Sequence, residues 1–435
     1  MTPAARLSAA IEVLADIDAR RRPAADALKD WGLAHRFAGS GDRAAIAGLV
    51  YDALRRRASA AWIMGEETPR AMLLGMLRLE RGLDLDTIAA LCGGARFAPA
   101  PLSETERSRL AGANLADAPP WIAGDYPEWL DSQFARAFAE ERAAELAALS
   151  ARAPLDLRVN TLKANRDAAA AALAELGCEP TRWSPLGLRI RLRADAKSPA
   201  IHAEPAFIKG MVEVQDEGSQ LAALLAGARR GEQVVDLCAG AGGKTLALAA
   251  AMENHGQIYA TDSDKRRLAP IHARLERAGA RNVQVRTPRG NADVLSDVAG
   301  RADLVLIDAP CTGIGVWRRN PDAKWRVRPG ALAVRQKEQE AALDRAVPLV
   351  KPAGRIAYVT CSVLAEENDD QVRAFLARNP EFALVPPAEV VGVLGERAYL
   401  FRRAVLISET GLLMTPLRTE TDGFFVSVLR KSEQR

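Results

Sequence analysis

The chain has 435 residues, is 49% hydrophobic and 26% charged, and carries a formal charge of +4. That is room for two or three ordinary soluble domains, and the mild positive charge permits a nucleic-acid partner without requiring one. The five cysteines (92, 178, 238, 311 and 361) are odd in number and form no CxxC pair, which excludes a disulfide framework and a structural zinc and points to a reducing, cytoplasmic setting. The first residues hold no apolar core of signal-peptide length, and no apolar run is long enough to span a bilayer.

In chain order, residues 1 to 140 read as helical. Apolar residues recur at three- and four-residue spacing in Leu7, Ala10, Ile11, Leu14 and Ile17, and again in Ile46, Leu49, Val50 and Leu54. Two arginine clusters, 20–22 and 55–57, are either solvated helix ends or a phosphate-contacting face. Pro-rich stretches at 97–101 and 116–120 mark loops. Residues 141 to 225 read as a small α+β unit. Strict alternation over Leu188–Arg193 predicts a strand whose wet face carries Arg189, Arg191 and Arg193, a solvated edge or a surface for RNA.

From 226 to 435 strands alternate with helices. The candidate strands are 234–237, 257–262, 283–286, 303–308, 354–360, 382–385 and 424–429, the pattern of a doubly wound, mainly parallel α/β sheet. Ligands of such sheets bind at the carboxyl ends of the strands. The first strand ends in Asp236 and the turn Cys238-Ala239-Gly240-Ala241-Gly242-Gly243-Lys244, followed by a helix. A strand running through glycines into a helix offers free backbone N–H groups at one point. A P-loop would need glycine at 238, and a dinucleotide turn glycine at 245; Cys238 and Thr245 stand there. A short turn with an acid about twenty residues on, Asp262, suits S-adenosylmethionine, with that acid on the ribose hydroxyls. Cys238 itself reads as packing. Asp308 and Cys311 follow the fourth strand and Cys361 follows the fifth, so two cysteines and an acid stand together at the ligand edge.

These residues identify a family. Asp236–Thr245, Asp308-Ala-Pro-Cys-Thr-Gly-Ile-Gly315, Arg319-Asn-Pro-Asp-Ala-Lys-Trp325, Thr360-Cys-Ser-Val-Leu-Ala-Glu-Glu-Asn368 and Asp422-Gly-Phe-Phe425 closely resemble, in order, the motifs of the NOL1/NOP2/Sun RNA 5-methylcytosine methyltransferases. Leu157–Thr161 and Val214–Gln220 resemble the segment ahead of the catalytic domain. The front, through Asp42–Arg55, resembles the NusB-like RNA-binding domain of RsmB-type members. The resemblance implies a Rossmann-like S-adenosylmethionine domain and cytosine-C5 methylation of 16S ribosomal RNA. It makes Cys361 the nucleophile at cytosine C6, puts Asp308 on the base, gives Cys311 product release, and gives Lys244 charge stabilisation. The cofactor would rest on Cys238, Ala239, Gly240, Ala241, Gly242, Gly243 and Lys244, with Asp262 and Asp308 beside it. A monomer acting on RNA, with no metal and no membrane, is expected.

The chain departs from the family pattern at Ala241, where many relatives have proline. It departs again at Arg289, where an acid near the adenosyl end is usual; Asn291 is the nearest polar substitute, and the register does not favour Asp293. Arg318, Arg319, Lys324, Arg326 and Arg328, just past Cys311, are expected to form a phosphate track for the RNA. Transfer RNA as the substrate, or an RNA-binding assembly protein without catalysis, are the alternatives.

Overall fold

The computed structural model describes residues 1–94, 96–192, 199–290 and 292–433. Arg193 and Asn291 lie outside them. The chain forms two compact units: Met1–Arg152 with Trp317–Arg328, and the remainder from Ala153 on.

The first unit is built of helices, and the apolar spacing explains them. In helix Pro3–Arg20 the residues Leu7, Ala10, Leu14 and Ile17 are buried, and in helix Ser40–Arg55 so are Ile46, Val50 and Leu54. Thr2, Thr68 and Ser103 cap helices by accepting from backbone N–H groups, each such cap being worth about 1 kcal/mol. Helix Pro69–Leu79 packs on helix Arg57–Met64 through Gly75, where a Cβ would stand 2.6 Å from the Cβ of Ala60.

Most arginines of the two clusters are engaged within the unit, with Arg21 exposed and Arg20 paired to Asp16. Arg22 pairs with Asp16 and Asp30, Arg56 with Glu80 and Asp125, and Arg57 with Asp18 and Glu67. Arg55 is buried and donates to the carbonyls of Ser150, Ala151 and Arg318. The track expected past Cys311 loses two members for the same reason: Lys324 and Arg318 are buried in the helical unit, while Arg326 and Arg328 are exposed. Lys324 is fully buried, with Nζ at 2.9 Å from Arg55 O, 2.7 Å from Asp125 O and 2.8 Å from Ser150 Oγ. Arg318 is 5% exposed, and Arg326 pairs with Asp322. Trp317 stacks edge-on against Phe134, and Trp325 donates to Leu54 O. A fully desolvated ammonium with three acceptors is an anchor; it has no surface left for a phosphate.

The second unit holds two sheets. The smaller is antiparallel, with β1 (Leu155–Val159), β2 (Glu179–Pro180), β3 (Gly187–Ile190) and β4 (Val212–Val214) in the order β2-β3-β1-β4. Its β3 does not have the wet arginine face that alternation suggested. Arg189 is 4% exposed and is clamped to Asp156 by two bonds of 2.7 and 2.8 Å; Arg191, past the strand end, is exposed. Sequence alternation marks which residues share a face but not whether a second element covers it.

The larger sheet comprises β5 (Gln233–Asp236), β6 (Gln257–Ala260), β7 (Val283–Val285), β8 (Ala302–Asp308), β9 (Val350–Thr360), β10 (Phe382–Leu384), β11 (Leu406–Ile407), β12 (Leu412–Met414) and β13 (Phe424–Lys431). The order is β11-β12-β13-β9-β8-β5-β6-β7, with β10 pairing with β13. Strands β5 to β9 run parallel, and β10 to β13 add an antiparallel wing. The chain winds one way from β5 to β6 and β7, and the other way to β8 and β9. The crevice for a ligand therefore opens between β5 and β8. The buried core lies on both faces, around Val234, Leu306 and Met414 on one and Val305, Ile356 and Phe375 on the other.

Candidate active site

Each site residue sits where a parallel strand stops. After β5 the chain turns through Gly240 (φ +49°) and Gly242 (φ +86°) into helix Gly243–Ala251. A side chain at 242 would be strained by that φ and would meet Ile271 at 2.6 Å. Asp262, past the end of β6, accepts from Gly240 N at 2.9 Å and from Asp264 N at 2.9 Å, so the acid after β6 shapes the turn after β5. Asp236 is fully buried, holds Thr245 Oγ1 at 2.7 Å, and is pushed up to about 7 by burial. Burial also drives the Cys238 thiol well above its ordinary range, in keeping with packing.

At the ends of β8 and β9 the two expected cysteines meet. Cys311 Sγ lies 3.3 Å from Cys361 Sγ, a hydrogen bond and not a disulfide. The hydrogen bond to Cys361 and burial together hold the Cys311 thiol well above its ordinary value. Lys244 Nζ donates to Asp308 Oδ2 at 2.7 Å and lies 5.0 Å from the centre of the Phe424 ring. Lys244 is 7% exposed while Asp308 is 33% exposed, so the carboxylate is the open member of the pair.

Four residues without an assigned role in the sequence reading hold this geometry. Glu367 is fully buried and accepts from Thr312 N at 2.8 Å and Thr312 Oγ1 at 2.6 Å, which fixes the turn after Cys311. Gln339 donates to Glu367 at 3.0 Å and to Pro310 O at 2.9 Å. Gly315 donates to Cys361 O at 2.9 Å and accepts from Gly423 N at 2.8 Å; a Cβ there would stand 2.1 Å from Gly423 O. Glu367 and Gly315 are inside the quoted motifs, but only the fold reveals that they link the two cysteine loops.

Beside the turn is a cavity of about 410 Å³, lined by Thr261, Asp262 and Ser263 after β6, by Pro288, Gly290, Asp293 and Leu295 after β7, and by Arg345. Asp293 therefore reaches the cavity, contrary to the expectation from register, and Arg289 is exposed and outside its lining. The reason is local. Residues 289 and 292 form a tight antiparallel bridge, which folds the loop back and sets Asp293, still exposed, at the cavity lining, where its Oδ1 accepts from Leu295 N at 3.0 Å. Two carboxylates, two hydroxyls and apolar walls suit a nucleoside, whose hydroxyls and amine are donors. This donor set fits the adenosine part of S-adenosylmethionine. Among the described residues, no cluster of His, Cys, Asp and Glu could hold a metal, and no helix is long and apolar enough to cross a membrane.

The parallel sheet with its glycine turn, strand-end acid and nucleoside cavity defines an S-adenosylmethionine-dependent methyltransferase. Comparison with known proteins gives its lineage. Residues 223–430 match the family model for the 16S rRNA methyltransferase RsmB/F, and residues 126–196 match the RsmF/B-like ferredoxin-like domain. A probable ribosomal RNA small subunit methyltransferase B from Synechocystis is 29% identical over 97% of this chain and 98% of that protein. Ribosomal RNA small subunit methyltransferase B from Salmonella newport is 35% identical over 60% of this chain and 59% of that protein. Among solved structures, a methyltransferase homolog from Pyrococcus horikoshii is 26% identical with a TM-score of 0.57, covering 72% of this chain and 97% of that one. NSun6 from the same organism, solved with SFG, has the same fold, with a TM-score of 0.58 at 21% identity over 71% of this chain and 99% of that one. The chain belongs to the NOL1/NOP2/Sun family of RNA methyltransferases, in its RsmB/F branch.

Proposed function

We propose that this protein methylates C5 of a cytosine in small-subunit ribosomal RNA. The observation that carries the reading is the Cys311–Cys361 pair at 3.3 Å beside the Lys244–Asp308 pair. Cytosine C5 is a poor nucleophile. Addition of the Cys361 thiolate to C6 forms an S–C6 bond and moves an electron pair toward C5. Cys311, in hydrogen-bond contact with Cys361 at 3.3 Å, holds that sulfur in place. The Asp308 carboxylate accepts from the amine on the pyrimidine edge, and Lys244 balances the charge that shifts there. The 238–244 turn, Asp262 and Asp293 would hold S-adenosylmethionine, which when bound supplies an electrophilic methyl group to C5. Loss of the C5 proton to solvent returns its electron pair to the C5–C6 bond, the S–C6 bond breaks, and Cys361 leaves as a thiolate beside Cys311. The target base must leave its stack to reach the sulfur.

The ribosomal assignment rests on the relatives, of which the Synechocystis protein matches 97% of this chain, its helical front included. Arg289 was the one feature that favoured a non-catalytic RNA-binding protein. Asp293 lines the cavity, which supports its taking the place of the acid and weighs for the catalytic reading. The test is an adduct trap. Cys311→Ala incubated with undermodified small-subunit RNA and S-adenosylmethionine is expected to give an RNA–protein species that survives denaturation. It should be absent from Cys311→Ala/Cys361→Ala. No adduct in the single variant would remove the release role from Cys311.

A further inference from the structure

The burial of Lys324 and Arg318 takes two cations out of the phosphate track expected beside the cysteines, which leaves a place for cations from elsewhere in holding the substrate. We infer that the outer face of helix Ala398–Ala404, with Tyr399, Leu400, Arg402 and Arg403, is a contact surface for single-stranded RNA flanking the target base. The inference rests on the RNA-methyltransferase reading above.

Topology places this helix on the catalytic edge. Strand β13 runs antiparallel to β9, with Phe425 opposite Thr360. Strand β12 runs antiparallel to β13, and β11 antiparallel to β12, with Leu406 opposite Leu413 and Ile407 opposite Leu412. The start of β11 thus lies toward the edge where β9 delivers Cys361, and the helix feeds directly into that start through Val405. The helix is also fastened to the site. Phe401 is fully buried and packs edge-on against Trp183, at 5.4 Å between ring centres. The Trp183 indole donates to Thr419 O at 2.9 Å, in the loop that leads to Phe424 beneath Lys244.

The opposite face has no cover. Tyr399 is 68% exposed and Leu400 59%, and Leu417 of the neighbouring short helix is 48% exposed. Arg403 lies 5.9 Å from the centre of the Tyr399 ring and Arg402 is exposed without a carboxylate partner among the described residues. Arg182 sits over Trp183, and the acids in this neighbourhood are Glu396 and Glu420. A protein-docking face would share the tyrosine and the arginines, but two exposed guanidiniums within seven residues, with no carboxylate on them among the described residues, favour a polyanion. An exposed tyrosine beside two exposed arginines, one of them donating to the Tyr399 hydroxyl at 3.4 Å, matches unpaired nucleotides, whose bases stack while their phosphates pair.

The experiment measures binding of the full-length protein to a labelled single-stranded RNA of about twelve nucleotides, a span within the usual site sizes, by fluorescence anisotropy across salt concentrations. Arg402→Ala/Arg403→Ala is expected to lower the slope of log Kd against log salt by about 1.4, two lost phosphate contacts at about 0.7 each. Tyr399→Ala is expected to weaken binding about tenfold at fixed salt and to leave the slope unchanged. Affinity for S-adenosylhomocysteine should not move in either variant. Arg229→Ala/Arg230→Ala, beyond the opposite edge of the sheet, is the control and should bind like wild type. Unchanged Kd and slope in the helix variants, or equal losses in the control, would overturn the inference. So would a change in oligomeric state on sedimentation, which would make the face a protein interface. Wild-type protein that binds this RNA through the helix but methylates no RNA would sink the functional reading and leave the surface standing.

Discussion

Lys324 and Lys244 are both buried, and each follows a motif the family shares, but their surroundings differ. Lys324 has two carbonyls and a hydroxyl and no carboxylate among its hydrogen-bond acceptors; burial pushes it down to about 7. Lys244 has one partner, a carboxylate that is itself a third exposed beside two sulfurs. The first arrangement satisfies a cation completely and leaves it nothing to do but hold backbone in place. The second keeps an ion pair half open toward a substrate, which is how a site retains charge for a reaction. From the sequence alone, both read as cations near the cysteines.

That contrast can be broken by substitution. Replacing Cys361 with alanine sets the scale, because it removes the atom that bonds to the base, and methylation should fall below detection. Lys244→Ala is expected to lower kcat by about a hundredfold or more while the thermal midpoint changes little. Lys324→Ala is expected to do the reverse: a loss of about 3 kcal/mol of stability from three stranded acceptors, with kcat per folded molecule near wild type. A large loss of kcat in a folded Lys324 variant would erase the distinction.

The pH dependence sharpens it. The unfolded chain holds the Lys324 proton up to about 10.5, and the folded one only to about 7. The cost of the buried charge is therefore fully present below pH 7 and fades as pH rises toward 10.5. Chemical denaturation of wild type should include this rise in stability, and Lys324→Met should lack it. Smaller effects are expected at the cofactor. Asp293→Ala should weaken S-adenosylhomocysteine binding about tenfold by calorimetry, the cost of one charged hydrogen bond, and Arg289→Ala should leave it unchanged. The reverse ranking would return the adenosyl contact to Arg289.

The sheet and the site's membership were legible because they depend on local signals. Apolar runs bounded by glycine and ending in an acid or a cysteine mark parallel strands and their ligand ends, and Asp236, Asp262, Asp308, Cys311 and Cys361 all stood at such ends. Whatever depended on which elements cover which was not legible. Arg189 looked wet because its strand alternates, and Asp156 covers it. The 317–328 segment looked like a basic loop, and its lysine is instead a buried anchor within the helical unit. Asp293 was discounted by counting register along β7, and a four-residue bridge reset the count. The short β11 and β12 gave no periodic signal over two and three residues, so the helix that precedes them had no assigned place.

The most direct test of the central claim is nucleoside analysis of small-subunit RNA methylated by the purified protein with isotopically labelled S-adenosylmethionine. The account predicts label only in 5-methylcytidine, and none when Cys361→Ala replaces the wild type. Label in any other nucleoside, or undiminished 5-methylcytidine with Cys361→Ala, would contradict it.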